Sequence, residues 1–210
     1  MPYPSRTDRA AIVAAAIMVL DERGLDAVSL RAIATHLGIR QPALYHHFAS
    51  KAELLAAVAN EILAQRHTDR LPADGERWDA FVARNARSLR RAMLSVRDGA
   101  RLIASAGSRS PHPDTAIAQV SLLENAGFTA PDAILALIAV ARYTIGSAIE
   151  QQTARDNGDI VIETDRTDSA ARHLIDSTRH VVALGQDHEF GTGLAALIRG
   201  LTPTTLAPPR

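Results

Sequence analysis

Cysteine is absent from the 210 residues, and aromatic side chains make up only 4% of them. The first absence excludes disulfides, cysteine zinc fingers and thiol catalysis, and it fits a reducing compartment. The second leaves alanine, leucine, isoleucine and valine to fill a core, which suits closely packed helices; at 47% hydrophobic the chain has enough of them. Apolar stretches are broken by charges every few residues, so no membrane span is expected. The opening MPYPSRTDRA has no apolar signal-peptide core, and a cytoplasmic location is the expectation. Acids and bases balance at 23 each, so net charge points to no nucleic-acid partner. A local lack is more telling. Residues 27–52 hold Arg31, Arg40, Lys51, three histidines and no acid. Such a segment can present a phosphate-binding face on a neutral protein, although chance clustering in an arginine-rich chain explains the charge pattern equally well.

What is present is helical almost throughout. Ile12, Ala15, Ala16 and Val19 follow helical spacing and Gly24 stands where a helix C-terminus favours glycine. Ser29 can cap a short second helix, Leu30 to Leu37, that stops at Gly38. Pro42 suits the first turn of a third helix reaching about His47. Ser50, with Glu53 at the capping-box position, starts a fourth that runs to about His67 with Leu54, Leu55, Val58 and Ile62 as its apolar stripe. Leu71-Pro72-Ala73-Asp74-Gly75 is the clearest break. Further helices are expected at about 77–94, 98–105, 113–126, 131–152, 167–184 and 188–200. Arg155 to Arg166 reads as a polar surface loop, and the proline-rich 204–210 as a disordered tail. The expected fold is all-α. A three-helix DNA-binding domain spans 1–66, with about 50–67 as connector, and a larger helical domain spans 67–203.

Ser29 to Lys51, SLRAIATHLGIRQPALYHHFASK, has the helix–turn–helix arrangement: a helix of about eight residues, a tight turn at Gly38, and a second short helix. Ala34 lets the two helices approach, while Ile33, Leu37, Ile39 and Leu44 can lock them to their neighbours. Gln41, Tyr45, His46 and His47 then share the exposed side, which is the side that enters a major groove. Tyr45 serves equally as a half-buried strut. Lys51 is the only lysine, and a helix N-terminus does not favour a cation, so a phosphate partner explains it better than bare solvent.

The pattern L-x-x-I-A-x-x-L-G-I-x-x-x-x-L-Y-x-H-F-x-x-K-x-x-L, from Leu30 to Leu54, resembles the N-terminal domain of the tetracycline-repressor family; its second half is the more specific. The resemblance implies that Gln41 reads adenine through its amide and that Pro42 and Ala43 touch thymine methyls. Arg31 would reach a base edge or a phosphate, and Tyr45, His46, His47 and Lys51 would hold phosphates and set register. Double-stranded operator DNA is the implied partner.

The C-terminal part resembles the tetracycline-repressor subgroup through Arg97-Asp98-Gly99-Ala100, Gly127-Phe128 and the spacing of Thr144, Gly146 and Glu150. By position, His67, Asn85, Gln119 and Glu150 match polar residues lining the drug pocket there. Three other pocket positions depart: Ile103 stands where that subgroup has a magnesium-ligating histidine, Leu89 where it has an aromatic, and Ala106 where it has a threonine. Isoleucine cannot ligate a hard cation, so the expected inducer is metal-free and largely apolar, with no cofactor. The stripes Ile134, Leu137, Ile138, Ala141, Ile145, Ala148 and Phe190, Leu194, Leu197, Ile198, Leu201 lie on helices that pair as a four-helix bundle in the family, which implies a homodimer through about 131–152 and 188–200.

The function this implies is a ligand-released repressor on a palindromic site. An activator, or a DNA-binding protein without an inducer, fits the same residues. An enzyme does not: the chain has no G-x-S-x-G elbow, phosphate-cradling loop or H-E-x-x-H, and His173 and His180 lack a third ligand or an acid.

Overall fold

The protein, a computed structural model, is described over residues 8–106, 112–157, 164, 166 and 168–203. The helices α1 Arg9–Arg23, α2 Leu30–Leu37, α3 Pro42–Tyr45 and α4 Lys51–Arg66 form the N-terminal part. The remainder is α5 Trp78–Leu94, α6 Gly99–Ser105, α7 Pro113–Asn125, α8 Ala130–Asn157, α9 Ser169–Leu184 and α10 Gln186–Gly200. No strand occurs among the described residues.

Local chemistry sets the first boundaries. The Asp8 carboxylate accepts from Ala11 N–H at 2.6 Å and starts α1. Ser29 Oγ accepts from Ala32 N–H at 3.1 Å and starts α2. That helix ends at Gly38 in the left-handed region (φ 67°), where Gly38 N–H bonds Thr35 O and Ile39 N–H bonds Ala34 O. A non-glycine residue there would crowd its own Cβ. Ser50 Oγ accepts from Glu53 N–H at 3.1 Å, and Glu53 reaches back to Ala49 N–H at 2.8 Å, one residue earlier than a standard capping box.

Some expected boundaries move. α3 ends at Tyr45 rather than His47, although Leu44 O still accepts from His47 and Phe48 N–H. A 3₁₀ turn, Leu25–Ala27, links α1 to α2. The helix expected over 131–152 runs to Asn157, so the expected polar loop begins later than Arg155. Most of that loop, and the 204–210 tail, lie outside the described residues.

Two apolar clusters fill the interior. The first joins Ile12, Leu20, Ile33, Leu44, Phe48, Leu54 and Ile62 of the N-terminal helices to Met93, Leu102, Ile103 and Ala148 beyond the Leu71–Gly75 break. The second gathers Phe81, Leu123, Phe128, Val140, Phe190 and Leu194. α8 enters both. By length and composition α8 could cross a bilayer. One side of it is packed within the chain, with Ala133, Ala136, Val140, Thr144, Ala148 and Gln152 buried against α5, α6, α7 and α10, while Ile134, Leu135 and Ile138 stay exposed.

Gln152 makes three buried side-chain hydrogen bonds to one turn of the main chain. Its Oε1 accepts from Ala100 N–H at 3.0 Å, and its Nε2 donates to Met93 O at 3.3 Å and Val96 O at 2.9 Å, all buried. The turn it holds reaches α1 on the other side. Arg97 N–H donates to Asp21 at 3.0 Å, and the Asp98 carboxylate accepts from Leu25 N–H at 2.8 Å. Asp98 has φ 56°, a conformation that needs such support. Gly24 lies opposite at φ 79°; a Cβ there would sit 2.9 Å from Asp98 Oδ2.

Candidate functional site

The first candidate surface is the outer side of α2, α3 and the start of α4. Leu44 is fully buried and Phe48, just after α3, is too, which fixes the inner face of the short helix. The outer face follows from that. Arg31, Pro42, Tyr45, His46 and Lys51 are exposed, while Gln41, Ala43 and His47 are half-buried. Tyr45 is 53% exposed, so it is not a core strut. Gln41 Nε2 donates to Tyr45 Oη at 3.3 Å, one turn along, which holds the amide against the helix while leaving its oxygen free to accept. Arg31, Arg40 and Lys51 have no ion-pair partner among the described residues, so their charges face solvent uncompensated. The first acid after the segment is Glu53. The Ala49 N–H and the Arg9 guanidinium hold its carboxyl below the ordinary carboxylate range. Arg9 carries no helical-pattern or motif signal, and sequence reasoning passed over it.

The second candidate site gathers at the α4–α5 connection. His67 closes α4, is buried, and its Nδ1 lies 3.0 Å from Ser88 Oγ. The same hydroxyl accepts from Asp69 N–H at 3.2 Å, so a neutral imidazole accepting at Nδ1 completes the chain. Asn85 donates to Asp69 O at 2.9 Å and Gln119 to Arg70 O at 2.7 Å. Three of the four polar candidates therefore converge on residues 67–70, where their bonds pin the connection. Glu150 is exposed on α8 and takes no part in these bonds. Leu89, Ile103 and Ala106 belong to one apolar cluster, with Ile103 buried.

Burial lowers the His67 pKa to about 4; Arg70 and Arg91 push the same way and Asp69 opposes them. Asp69 and Glu76 are both held by Arg84, at 3.1 Å and 2.7 Å, so the connection is ion-paired to α5 as well. No group of three metal-ligating side chains occurs among the described residues, and Ile103 offers no lone pair.

A further polar centre escaped the sequence reading. Arg90, buried on α5, donates to Asp187, to the Gln151 side chain and to Gln186 O, and lies 4.8 Å from the Phe190 ring centroid. It fastens α10 to α5 and α8. Its only signal in sequence was an arginine on an otherwise apolar helical face.

Residues 12–58 match the model described as bacterial regulatory proteins, tetR family, and residues 71–205 match the tetracyclin repressor-like C-terminal domain. The chain is 38% identical over 201 residues to the tetracycline repressor protein class C of Escherichia coli, covering 94% of this chain and 91% of that protein. Its structure is similar to that of TetR from Acinetobacter baumannii AYE, with TM-score 0.79, 39% identity, and 92% and 95% of the two chains covered. A class A TetR in complex with 5a,6-anhydrotetracycline and magnesium is also similar, with TM-score 0.70, 34% identity, and 90% and 95% covered.

The His67 pKa has a consequence for stability. The unfolded chain takes up a proton near 6.5, the ordinary histidine value, and the folded chain only at about 4. Stability is full above the first value and falls as pH drops through the window, by about 3 kcal/mol in all. Urea titrations at pH 7 and pH 4.5 are expected to show this loss in the wild type and a smaller one in His67→Asn. Equal losses in the two proteins would remove His67 as its source.

Proposed function

Because the chain belongs to the tetR family of bacterial regulatory proteins, we propose that it is a ligand-responsive repressor that binds a palindromic operator as a homodimer. The observation that carries this is the outer face of α3. Gln41 and His46 flank that helix, the unpaired cations Arg31, Arg40 and Lys51 lie on the segments around it, and no acid occurs between residues 27 and 52. Residues 1–66 form the reading unit and 67–203 the sensing and pairing unit. Gln41 reads bases, with Pro42 and Ala43 beside it at thymine methyls. Arg31, Tyr45, His46, His47 and Lys51 hold the backbone in register. An activator would present the same face, and repression is favoured because the similar curated proteins are repressors. The chain acts in the cytoplasm and catalyses no reaction.

Pairing is supported by an uncovered apolar face. Ile134 and Leu135 are 46% and 62% exposed and Ile138 lies one turn further along α8. The α10 stripe contributes less than its sequence implied. Phe190 and Leu194 are spent inside the chain, leaving Leu197, Ile198 and Leu201 only partly covered. The dimer therefore forms through about 131–152 with a smaller share from 188–200.

The inducer enters between α4, α5, α6, α7 and α8, near His67, Asn85, Leu89, Ile103, Ala106, Gln119 and Glu150. It is metal-free and mostly apolar, because the position suited to a metal ligand is Ile103. By exchanging with the bonds that Asn85 and Gln119 now give to the main chain, it would loosen residues 67–70. α4, 16 residues or about 24 Å long, would carry that shift to its other end at Lys51.

Three outcomes test this reading. Against a duplex selected by the wild type from a random library, Gln41→Ala is expected to lose about 1–3 kcal/mol and to relax preference at one base pair per half-site. Lys51→Ala weakens binding to every duplex and lowers the salt slope by about 1; identical losses in both variants would refute the division of roles. In sedimentation the wild type runs as a dimer and Leu135→Arg as a folded monomer, whereas a monomeric wild type at micromolar concentration ends the dimer model. Calorimetry with tetracycline is expected to give no magnesium-dependent heat with the wild type and measurable heat with Ile103→His. Magnesium-dependent binding by the wild type would overturn the metal-free inducer.

A further inference from the structure

We propose that Arg9 is a positioning residue for DNA reading: from the first turn of α1 it holds the end of the recognition helix and the start of α4 in one arrangement. Its Nη1 donates to His47 O at 2.6 Å, and both terminal nitrogens donate to Glu53 Oε1 at 3.0 Å. The guanidinium lies 4.1 Å from the centroid of the buried Phe48 ring. Glu53 passes the grip on, since its other oxygen accepts from Ala49 N–H. Every partner thus falls within residues 47–53, the link between α3 and α4.

As an ion pair alone this contact would contribute little, because both side chains are about half exposed. Its importance is geometric. The four-residue α3 has too few internal hydrogen bonds to fix its own direction, and the His47 carbonyl just past its end lacks a helical partner. Arg9 supplies that carbonyl with a charged donor and ties it to a carboxylate and a ring at once. A planar guanidinium can do this and an ammonium cannot. A small rotation of α3 would carry Gln41 off a base edge while leaving Arg31 and Lys51 within reach of phosphates. Arg9 therefore governs discrimination between sequences more than attraction to DNA. It precedes residues 12–58, the span that matches the family's DNA-binding model.

The inference rests on α3 being the reading helix, and the test separates the two. Anisotropy would compare the wild-type-selected duplex with a scrambled duplex of equal length across a range of salt. Arg9→Met, which keeps the stem over Phe48, is expected to bind the selected duplex on the order of tenfold more weakly, the equivalent of one charge-assisted hydrogen bond. Its affinity for the scrambled duplex and its salt slope stay at wild-type values. Arg9→Lys is intermediate. Arg9→Met/Glu53→Gln remains as weak as Arg9→Met, because the lost element is the grip on His47 and not the screening of a carboxylate. Equal loss on both duplexes would make Arg9 a phosphate contact or a folding residue and overturn the proposal, as would recovery in the double variant or an unchanged ratio in Arg9→Met. If Arg9→Met melts below the assay temperature, Arg9→Gln is held to the same criteria. A wild type that selects no sequence would instead overturn the assignment of α3.

Discussion

The grip on the turn between α5 and α6 is the constraint on which the remaining architecture depends. One amide, Gln152, satisfies an N–H and two carbonyls of that turn in the interior, where leaving any of them unpaired would cost about 1–3 kcal/mol. The opposite side of the turn bonds to Asp21 and Leu25 of the N-terminal helices. Central helix, turn and reading unit are thereby joined by directional bonds in addition to the shared apolar cluster. Hydrophobic contact alone would let the units slide; hydrogen bonds with fixed partners do not.

The proposed inducer site has two kinds of wall. Leu89, Ile103 and Ala106 belong to the packed core, while His67, Asn85 and Gln119 are engaged with the chain itself. A molecule bound at the proposed site would have to replace existing hydrogen bonds. Its polar groups therefore need to match three bonds already made, and its apolar part needs to match a wall without ligating atoms. This is a demanding combination, and it favours discrimination over tightness.

Features set by neighbours a few residues apart were legible in the sequence. Ser29, Gly38, Pro42 and Ser50 mark the helix–turn–helix because caps and turns act over three or four positions. The inward Leu44 and outward Gln41 and Tyr45 followed from helical period. What escaped were contacts between distant segments: Arg9 with Glu53 across 44 positions, Leu25 with Asp98 across 73, Arg90 with Asp187 across 97. The α10 stripe misled for a different reason. A face buried in its own chain and a face buried against a second copy have the same spacing, so Leu194 could not be assigned to either from its pattern. Likewise a polar residue that lines a pocket and one that pins a loop look alike, as Asn85 illustrates.

The positive-φ pair at the α1–α6 contact carries an implication for how this sequence can vary. Gly24 faces the Asp98 carboxylate so closely that any side chain at position 24 would displace it. Shortening residue 98 would make room, but Leu25 N–H would then lose its acceptor and the left-handed backbone at 98 its support. Changing both would still leave Leu25 N–H without its acceptor and a side chain at a positive φ, so Gly24 and the Asp98 carboxylate are each required as they stand. The junction between α1 and the α5–α6 turn thereby depends on this pair of residues, and its geometry leaves neither position free to vary.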